Sequence, residues 1–448
     1  MHVYLRINHT YYQYQTHERE RFMFLSYFLE YNRYMNIIGI GLMFLIAFFF
    51  SRNRAAIKWS LILKAFVLQS LVGIFMLKSA WGRAGVEAVA LGVQKLSACA
   101  HVGMRFMFGN LIDPSGAWGM IFAVRVLPVL IFFGAFIALL FHFKLIQRLV
   151  ALINGVVHPL LGTSGAETLS AIATGLLGQT EALFFVRNYV GVMTKAELFV
   201  VMTSGMSAIS ASLISVFSTM GVSTAHLLTS VSMSIFGSIM IAKMLFPDDP
   251  RASAEQQRKE HAVDVQRPTT TNLLEAIATG TSDGLQVALA IGAMLISFLS
   301  LLALVNYLLI GIGSGINSLG AAAGVAWRLP ELTLDVIFSY LLCPFGYLLG
   351  FAGEDALAAG QLLGKKVAIN EFIAYSSLVS TQLPERVATI MTYALCGFSN
   401  FACIGIQMGG IGVFAPERRA WIAELGLYAV LGGALSNLIT AMIAALLI

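Results

Sequence analysis

Two acidic side chains stand inside hydrophobic sequence, where a carboxylate is costly. Glu181 belongs to the stretch 178–181, and Glu371 belongs to the stretch 370–372. A charged group at membrane depth costs at least about 3 kcal/mol on the insertion scale, and such residues bind a substrate or an ion, or carry protons. The structural alternative is a carboxylate that is neutralised by a buried Lys or Arg. These residues therefore predict a functional site at each position.

Two amides accompany the acids. Gln179 lies just before Glu181, and Asn400 lies in a Gly-rich segment after Glu371. A carboxamide offers a donor and an acceptor on one planar group, which suits the edge of a heterocycle or a pair of sugar hydroxyls. An amide that only packs helices is the alternative. Thr180 is a weaker candidate, because hydroxyls often bond back to their own helix.

The acidic stretches are each followed by a similar segment. Residues 204–210 can be laid over 396–402 without a gap, and both contain a small residue, Gly, a large apolar residue and Ser. The acid precedes the Gly of this segment by nearly the same interval in both copies, and the interval is slightly longer in the second. Duplication explains this recurrence. Repeats of this type place a substrate at their interface, where half-helix ends supply dipoles and unpaired backbone groups.

The composition indicates that the helices carrying these residues lie in a lipid bilayer. Of the 448 residues, 58% are hydrophobic and 11% are charged, and the mean hydropathy is +0.80. The net charge of +5 is interpreted as a sign of membrane orientation, because Lys and Arg are enriched beside spans on the cytoplasmic side. No nucleic acid partner is expected. The four cysteines form no C-x-x-C pair, so neither a disulfide framework nor a zinc site is indicated. We predict one all-α, polytopic domain that crosses the bilayer several times.

About eight transmembrane helices are predicted, together with two re-entrant hairpins in the internal repeat and interfacial amphipathic helices. The hairpins correspond to the Gly-interrupted stretches 163–188 and about 335–380, and the residues 81–110 form an amphipathic helix. Irregular backbone at membrane depth is tolerated only where it is buried in protein or lines a cavity. The broken stretches therefore mark the site. The predicted spans are 36–50, 60–78, 119–143, 197–220, 225–246, 284–311, 387–412 and 422–448.

The beginning of the chain differs from the rest. Residues 1–34 are polar and aromatic, and they lack the apolar core of a signal peptide. Met35 is followed directly by an apolar run. We hypothesise that 1–34 is an N-terminal extension that is not native, and that the single transporter domain spans 35–448.

The motifs around the acids and amides resemble those of the concentrative nucleoside transporters, specifically the bacterial members. The resemblance covers roughly 35–448 and implies a homotrimer in which a mobile transport domain moves against a fixed scaffold, an elevator mechanism. The motifs that carry it are 178–182, 364–375 and 394–405. The scaffold helices would be about 36–145 and 284–311, and the transport core about 163–246 and 335–448.

The same resemblance implies roles for the site residues. The first hairpin would face the nucleobase, directly or through water, whereas Glu371 and Asn400 would hold the ribose hydroxyls. Leu213 would lie against the base, and Phe398 would line the same pocket. The implied substrate-binding residues are Gln179, Thr180, Glu181, Leu213, Glu371, Phe398, Asn400 and Cys403. Many members carry Ser where this chain has Cys403, a weaker hydrogen-bond partner.

The coupling cation is indicated by another departure from the family. Sodium-coupled members resemble one another in an Asn shortly before the hairpin Gln and in a Ser at the helix break, where this chain has Thr174 and Ala208. A hard cation needs several oxygen ligands, so proton symport is favoured over sodium symport, with Glu371 or Glu181 as the proton carrier. No other cofactor and no bound metal are expected. The degenerate sodium site would lie near Thr174, Leu177, Ala208 and Ile209.

Two other classes of protein were considered. An integral membrane enzyme would need base chemistry from His101, His142 or His158 with a nearby acid. No nucleophile elbow, metal-spaced His pair or phosphate-binding loop accompanies them, so an enzyme is not expected. A channel is the second alternative, but paired carboxylates on broken hairpins favour an occluding carrier. The predicted function is a secondary active nucleoside importer in the bacterial inner membrane.

Overall fold

The computed structural model describes most of the chain, and every element in the described part is helical. Of the predicted extension 1–34, residues 1–26 and residue 28 lie outside the described residues. The described residues are 27, 29–113, 116–119, 121–125, 127–145, 148, 152, 155, 160–210, 213–214, 217–218, 220–249, 272–324 and 328–448.

Long apolar helices alternate along the chain with pairs of short helices that a break separates. In chain order they are α1 (Arg33–Phe49), α2 (Trp59–Lys78), α3 (Ala80–Phe108), α4 (Phe122–Arg125), α5 (Leu127–His142), α6 (Gly165–Leu177), α7 (Gln179–Val190), α8 (Lys195–Ser207), α9 (Thr224–Leu245), α10 (Leu273–Ala322), α11 (Leu334–Leu348), α12 (Gly353–Ala368), α13 (Glu371–Ser380), α14 (Glu385–Leu395), α15 (Phe401–Phe414) and α16 (Arg419–Leu447).

Six helical segments of the described part are long and apolar enough to cross a membrane. The predicted spans 197–220 and 387–412 are not among them, because irregular backbone interrupts each run after α8 and after α14. The predicted span 284–311 is the middle of α10, which has 50 residues. At about 1.5 Å per residue this helix is about 75 Å long, well over the roughly 30 Å of a hydrocarbon core.

Both predicted hairpin stretches contain a helix, a short break and a second helix. In the first, Gly178 separates α6 from α7 with φ of 107°. A Cβ atom at this glycine would lie 2.5 Å from the Cβ of Ser210, so no larger residue fits. In the second, Asn370 separates α12 from α13, and α11 precedes the pair. The stretch 335–380 thus holds one helix more than a hairpin needs.

The breaks recur at a constant separation along the chain. Gly178 and Asn370 directly precede α7 and α13, whereas Ala208 follows α8 and Asn400 precedes α15. The interval from Gly178 to Asn370 equals the interval from Ala208 to Asn400. Ala208 and Asn400 both have extended backbone, with φ of −126° and −139°. The same interval at two independent positions supports an internal duplication, and we call this alignment of the two halves the break register.

The break register corrects the pairing of the two acids. In it, Glu371 corresponds to Gln179, and Glu181 corresponds to Ile373. The unequal intervals between acid and glycine arose from treating the acids as equivalent. Gln179 precedes Gly205 by the same interval as Glu371 precedes the glycine of the second copy. Neither acid therefore has an acidic counterpart in the other half of the repeat.

Helices α5 and α10 cross at a contact made of glycines. A Cβ atom at Gly134 would lie 2.3 Å from the carbonyl oxygen of Gly280, and one at Gly284 would lie 2.6 Å from that of Leu130. The two backbones are in direct contact as a result. Helices α8, α9 and α16 form the buried centre of the protein, whereas most of α10 lies outside it.

A buried ion cluster fixes the start of α6 to the end of α9. The Nζ atom of Lys243 lies 2.7 Å from Glu167 and 2.5 Å from Asp248, which also lies 3.4 Å from Lys58. Glu167 additionally forms a capping box with Ser164 at the first turn of α6. Burial by itself raises the pKa of Asp248, but Lys243 and Lys58 lower this pKa below its ordinary value.

Candidate functional site

The N-terminal ends of α7, α13 and α15 meet through their side chains. Asn400 donates from Nδ2 to Glu371 at 3.0 Å, and Gln179 donates from Nε2 to the sulfur of Cys403 at 3.4 Å. The backbone N–H of Cys403 donates to Oδ1 of Asn400 at 2.9 Å. These four buried residues form a continuous chain from α7 to α13. The predicted site residues of the two halves are thereby brought together.

The helix ends explain why carboxylates persist here. A helix N-terminus carries roughly half a positive charge, which stabilises an anion in the first turn. Glu181 lies in the first turn of α7, and Glu371 begins α13. No ion pair within the described residues includes either acid, although the buried Lys366 attracts the carboxylate of Glu371 without a direct contact. Glu181 instead accepts a hydrogen bond from the hydroxyl of Thr180.

The site offers polar groups to a bound molecule. Oε1 of Gln179 is buried and has no hydrogen-bond partner among the described residues, so it is available to a donor. Leu213 and Phe398 pack with the hydrophobic core. The hydrogen bonds at these two residues involve backbone atoms, with Leu213 donating to Ser210 and Phe398 accepting from Asn400. Their side chains supply apolar surface, and they are not joined to the polar chain.

The predicted degenerate sodium site lies beside the first break. The hydroxyl of Thr174 donates to the carbonyl of Ser170 at 2.7 Å, within its own helix. Ala208 has no side-chain oxygen, and it and Ile209 are buried at the break. Leu177 ends α6 and is partly buried against the core. The hydroxyl of Thr174 is thus the only side-chain oxygen among these four residues.

Three further polar residues were missed as candidates. Lys366, Gln407 and Asn437 are buried, and each donates a side-chain hydrogen bond to a backbone carbonyl near one of the helix breaks. Gln407 and Asn437 are isolated amides within apolar helices, a signal that could have identified them from the sequence. Lys366 lies within the motif 364–375.

Three family models match this chain. Residues 38–111 match the N-terminus of the Na+ dependent nucleoside transporter model, and 226–445 match its C-terminus. Residues 123–223 match a nucleoside recognition model called Gate. The chain belongs to the concentrative nucleoside transporter family. This nucleoside transporter is consequently an integral membrane protein, and it is not an enzyme.

Curated relatives of this nucleoside transporter extend over nearly its whole length. An uncharacterized transporter of Haemophilus influenzae is 37% identical, covering 92% of this chain and 97% of the relative. The nucleoside permease NupC of Helicobacter pylori is 35% identical with the same coverage. The sodium/nucleoside cotransporter 1 of Rattus norvegicus is 30% identical, covering 92% of this chain and 63% of that protein. The resemblance inferred from the motifs is confirmed.

Solved structures of CNTnw share the fold of this transporter. A variant of CNTnw in an outward-facing state has a TM-score of 0.83 at 33% identity, covering 92% of this chain and 98% of that one. The inward-facing, substrate-bound state of CNTnw has a TM-score of 0.68 at 34% identity, covering 92% and 97%. The described arrangement is therefore more similar to the outward-facing state.

Proposed function

We propose that this chain is a secondary active importer that couples nucleoside uptake to a proton gradient across the bacterial inner membrane. The observation that supports it best is the buried chain of Gln179, Cys403, Asn400 and Glu371, which joins the two hairpins at three helix N-termini. A site built between two halves of a repeat can open alternately to the two sides of the membrane.

The nucleobase is assigned to the first hairpin. Gln179 has a free Oε1 acceptor, and its Nε2 donor is held by the sulfur of Cys403, a weak partner that a base can replace. Thr180 and Glu181 add a hydroxyl and a carboxylate in the same turn. Leu213 would provide the apolar contact with the base.

The ribose is assigned to Glu371 and Asn400, with Phe398 as an apolar wall. The carboxylate of Glu371 accepts one hydrogen bond from Asn400 and keeps further lone pairs for sugar hydroxyls. Hydrogen bonds to an ionised group are roughly twice as strong as neutral ones, which offsets the cost of removing hydroxyls from water. Cys403 replaces a stronger hydroxyl partner and contributes little to sugar binding.

Proton coupling is favoured by the oxygens available near the first break. Thr174 uses its hydroxyl hydrogen within its own helix, and Ala208 contributes no side-chain oxygen. Glu371 and Glu181 are the acids at the site that can bind a proton. Sodium symport is the alternative, because the family models are described as Na+ dependent and the rat relative is named a sodium/nucleoside cotransporter.

The moving parts follow from the same reasoning. The hairpins and broken helices would form the transport core, while α5 and α10, locked together by glycines, would belong to the scaffold. The long apolar surface of α10 suits contact with two further copies in a homotrimer. An elevator movement would carry the core past these helices.

The test is uptake of labelled uridine by proteoliposomes that contain the purified full chain. Proton-driven uptake that a protonophore abolishes, and that is indifferent to replacing sodium with choline, is expected. Strict sodium dependence would overturn proton coupling, and lack of nucleoside uptake would overturn the function itself. Preloaded unlabelled nucleoside should accelerate entry of label, which distinguishes a carrier from a pore.

The proton carrier can be identified with two matched variants. Glu371→Gln and Glu181→Gln each keep an acceptor but cannot bind a proton at neutral pH. The variant of the carrier should lose its response to the proton gradient while keeping counterflow. If both variants respond to the gradient as the wild type does, neither carboxylate carries the proton.

A further inference from the structure

Lys366 is a buried cation that the proposed function does not use. It lies in α12 with 2% of its side chain exposed. Its Nζ atom donates to the carbonyl oxygen of Ala394 at 2.9 Å and to Oδ1 of Asn437 at 2.8 Å. No ion pair within the described residues includes it. An unpaired buried ammonium is costly, and the carboxylate of Glu371 attracts it without forming a direct ion pair.

Two helix ends that meet at Asn437 add further negative potential near the ammonium. Its Nδ2 donates at 2.7 Å both to the carbonyl of Ser207, the last residue of α8, and to the carbonyl of Cys396, which follows α14. The amide orientation is settled, because a reversed group would place Oδ1 against two carbonyl oxygens. Each helix C-terminus carries roughly half a negative charge, so the two ends stabilise a positive group nearby.

The two halves of the repeat differ at this point. In the break register, Ala394 corresponds to Met202, and Lys366 corresponds to Thr174. The carbonyl of Met202 accepts a hydrogen bond from Nε2 of Gln407 at 2.8 Å. Equivalent carbonyls therefore receive a neutral amide in the first half and an ammonium in the second. Only the second of these two sites has a positive charge.

We propose that Lys366 is a built-in cation that holds the second helix break in its substrate-binding geometry. Ala394 and Cys396 lie in or next to this break, and Ser399, next to Asn400, donates to Oδ1 of Asn437 at 3.4 Å. Half-helix C-termini in other transporters coordinate the coupling cation. Here the amino group of Lys366 lies at such a place. Lys366 is thus a positioning residue for Asn400, acting through the break.

This inference rests on the proposed role of Asn400 and Glu371 in binding ribose hydroxyls. Loss of the cation should therefore weaken recognition of the sugar more than recognition of the base. A suitable pair of probes is uridine and 2′,3′-dideoxyuridine, which share the base and differ in the two hydroxyls. Residues that merely stabilise the fold would change uptake of both nucleosides by the same factor.

The experiment compares wild type, Lys366→Met and Lys365→Met in proteoliposomes. Lys365 is the matched control, because it is the adjacent lysine of α12 and donates to Ser377 at 3.0 Å, away from the breaks. Lys366→Met should lower kcat/KM for uridine about tenfold or more and should reduce the preference for uridine over the dideoxy analogue. Lys365→Met should stay within about twofold of wild type, with its preference unchanged.

A Lys366→Met protein that keeps the wild-type preference for uridine would overturn the proposal, whatever its rate. If this variant is not folded on gel filtration, Asn437→Ala tests the same junction from the other side. Loss of the preference in Asn437→Ala supports the proposal, and retention contradicts it. A wild type without uptake, or without preference for uridine, would instead contradict the proposed function, and this is measured before any variant.

Discussion

Arg187 of α7 and Asp283 of α10 form an ion pair, with Nη1 of the arginine 2.6 Å from Oδ2 of the aspartate. The same guanidinium lies 5.5 Å from the ring centroid of Phe141 in α5. One side chain of the first hairpin thus contacts both helices of the glycine-packed pair. If the hairpin moves past these helices during transport, this ion pair must break in each cycle.

We predict that Arg187 and Asp283 stabilise the described arrangement jointly. Because the pair is only partly exposed, Arg187→Ala and Asp283→Ala should show a coupling free energy on the order of 1 kcal/mol in a double-mutant cycle. The measurement is thermal unfolding of the detergent-solubilised protein. The pair Arg52 and Glu424, which is 3.3 Å apart and far more exposed, is the control and should show less coupling. Additive effects at Arg187 and Asp283 would contradict the prediction.

Substitutions at the first break should change which cation stimulates uptake. Thr174→Asn combined with Ala208→Ser would add an amide oxygen and a hydroxyl, the two oxygen groups that this chain lacks there. We expect uptake by the double variant to be stimulated several-fold when sodium replaces choline, because a hard cation gains ligands. The single change Thr174→Ser, which keeps a lone hydroxyl, is the control. Equal uptake in sodium and choline would show that other groups decide coupling.

The buried cluster at the start of α6 should be sensitive to loss of its lysine. Lys243→Met would leave Glu167, with 1% exposed, as an uncompensated buried charge, at a cost of about 3–5 kcal/mol in unfolding free energy. Adding Glu167→Gln should recover much of this loss. Lys58→Met, at the exposed edge of the same cluster, should cost under about 1 kcal/mol. Thermal unfolding of the three variants measures these costs.

The cluster also has a pH dependence of definite sign. The pKa of Asp248 is lowered in the folded protein, so its contribution to stability is present above its unfolded pKa. This contribution is lost as the pH falls through the folded value. Asp248→Asn should therefore be less stable than wild type at neutral pH, and the difference should shrink in acid. A difference that grows as the pH falls would refute the assignment.

Chemical labelling of Cys403 should depend on whether a nucleoside occupies the site. In a variant that keeps only this cysteine, a small thiol reagent should block uptake, and excess uridine should protect, because the sulfur contacts Gln179 inside the site. A variant that keeps only Cys99, which is exposed on α3, is the control and should be labelled without loss of uptake. Inhibition through Cys99, or lack of protection at Cys403, would place the substrate elsewhere.

Cys403→Ser offers a complementary measurement. The hydroxyl is a stronger acceptor than the thiol, so the hydrogen bond from Gln179 should be retained or strengthened. Uridine uptake should stay within about threefold of wild type, since the change is nearly isosteric. A large loss would mean that the thiol itself is required.

Local features of the sequence predicted the fold class and the location of the site. Apolar runs without charges require helices in lipid, because each backbone polar group must be satisfied within its own segment. The stretch 163–188 is interrupted by glycines, and its break lies at Gly178, whose φ of 107° is a conformation that few other residues accept. Carboxylates and amides beside such breaks are costly, and for that reason they were recognised as candidates.

Equivalence between the halves could not be read from the residue types alone. Glu181 and Glu371 are the same amino acid in similar motifs, so they were paired. The constant separation of the breaks instead pairs Glu371 with Gln179. Backbone conformation decides the register, because a break must fall where the helix geometry fails, whichever side chain follows it.

The sequence by itself determined the solvent and most of the helices, since these depend on residues that are close along the chain. It did not locate the breaks after α8 and α14, which interrupt the predicted spans 197–220 and 387–412. Only the tertiary structure decided which groups meet. Asn437 bonds to Ser207, 230 residues away, and to Lys366, 71 residues away. A buried amide must find partners, but its residue type does not say which carbonyls it will reach. That choice depends on how the half-helices of both repeats pack around α16.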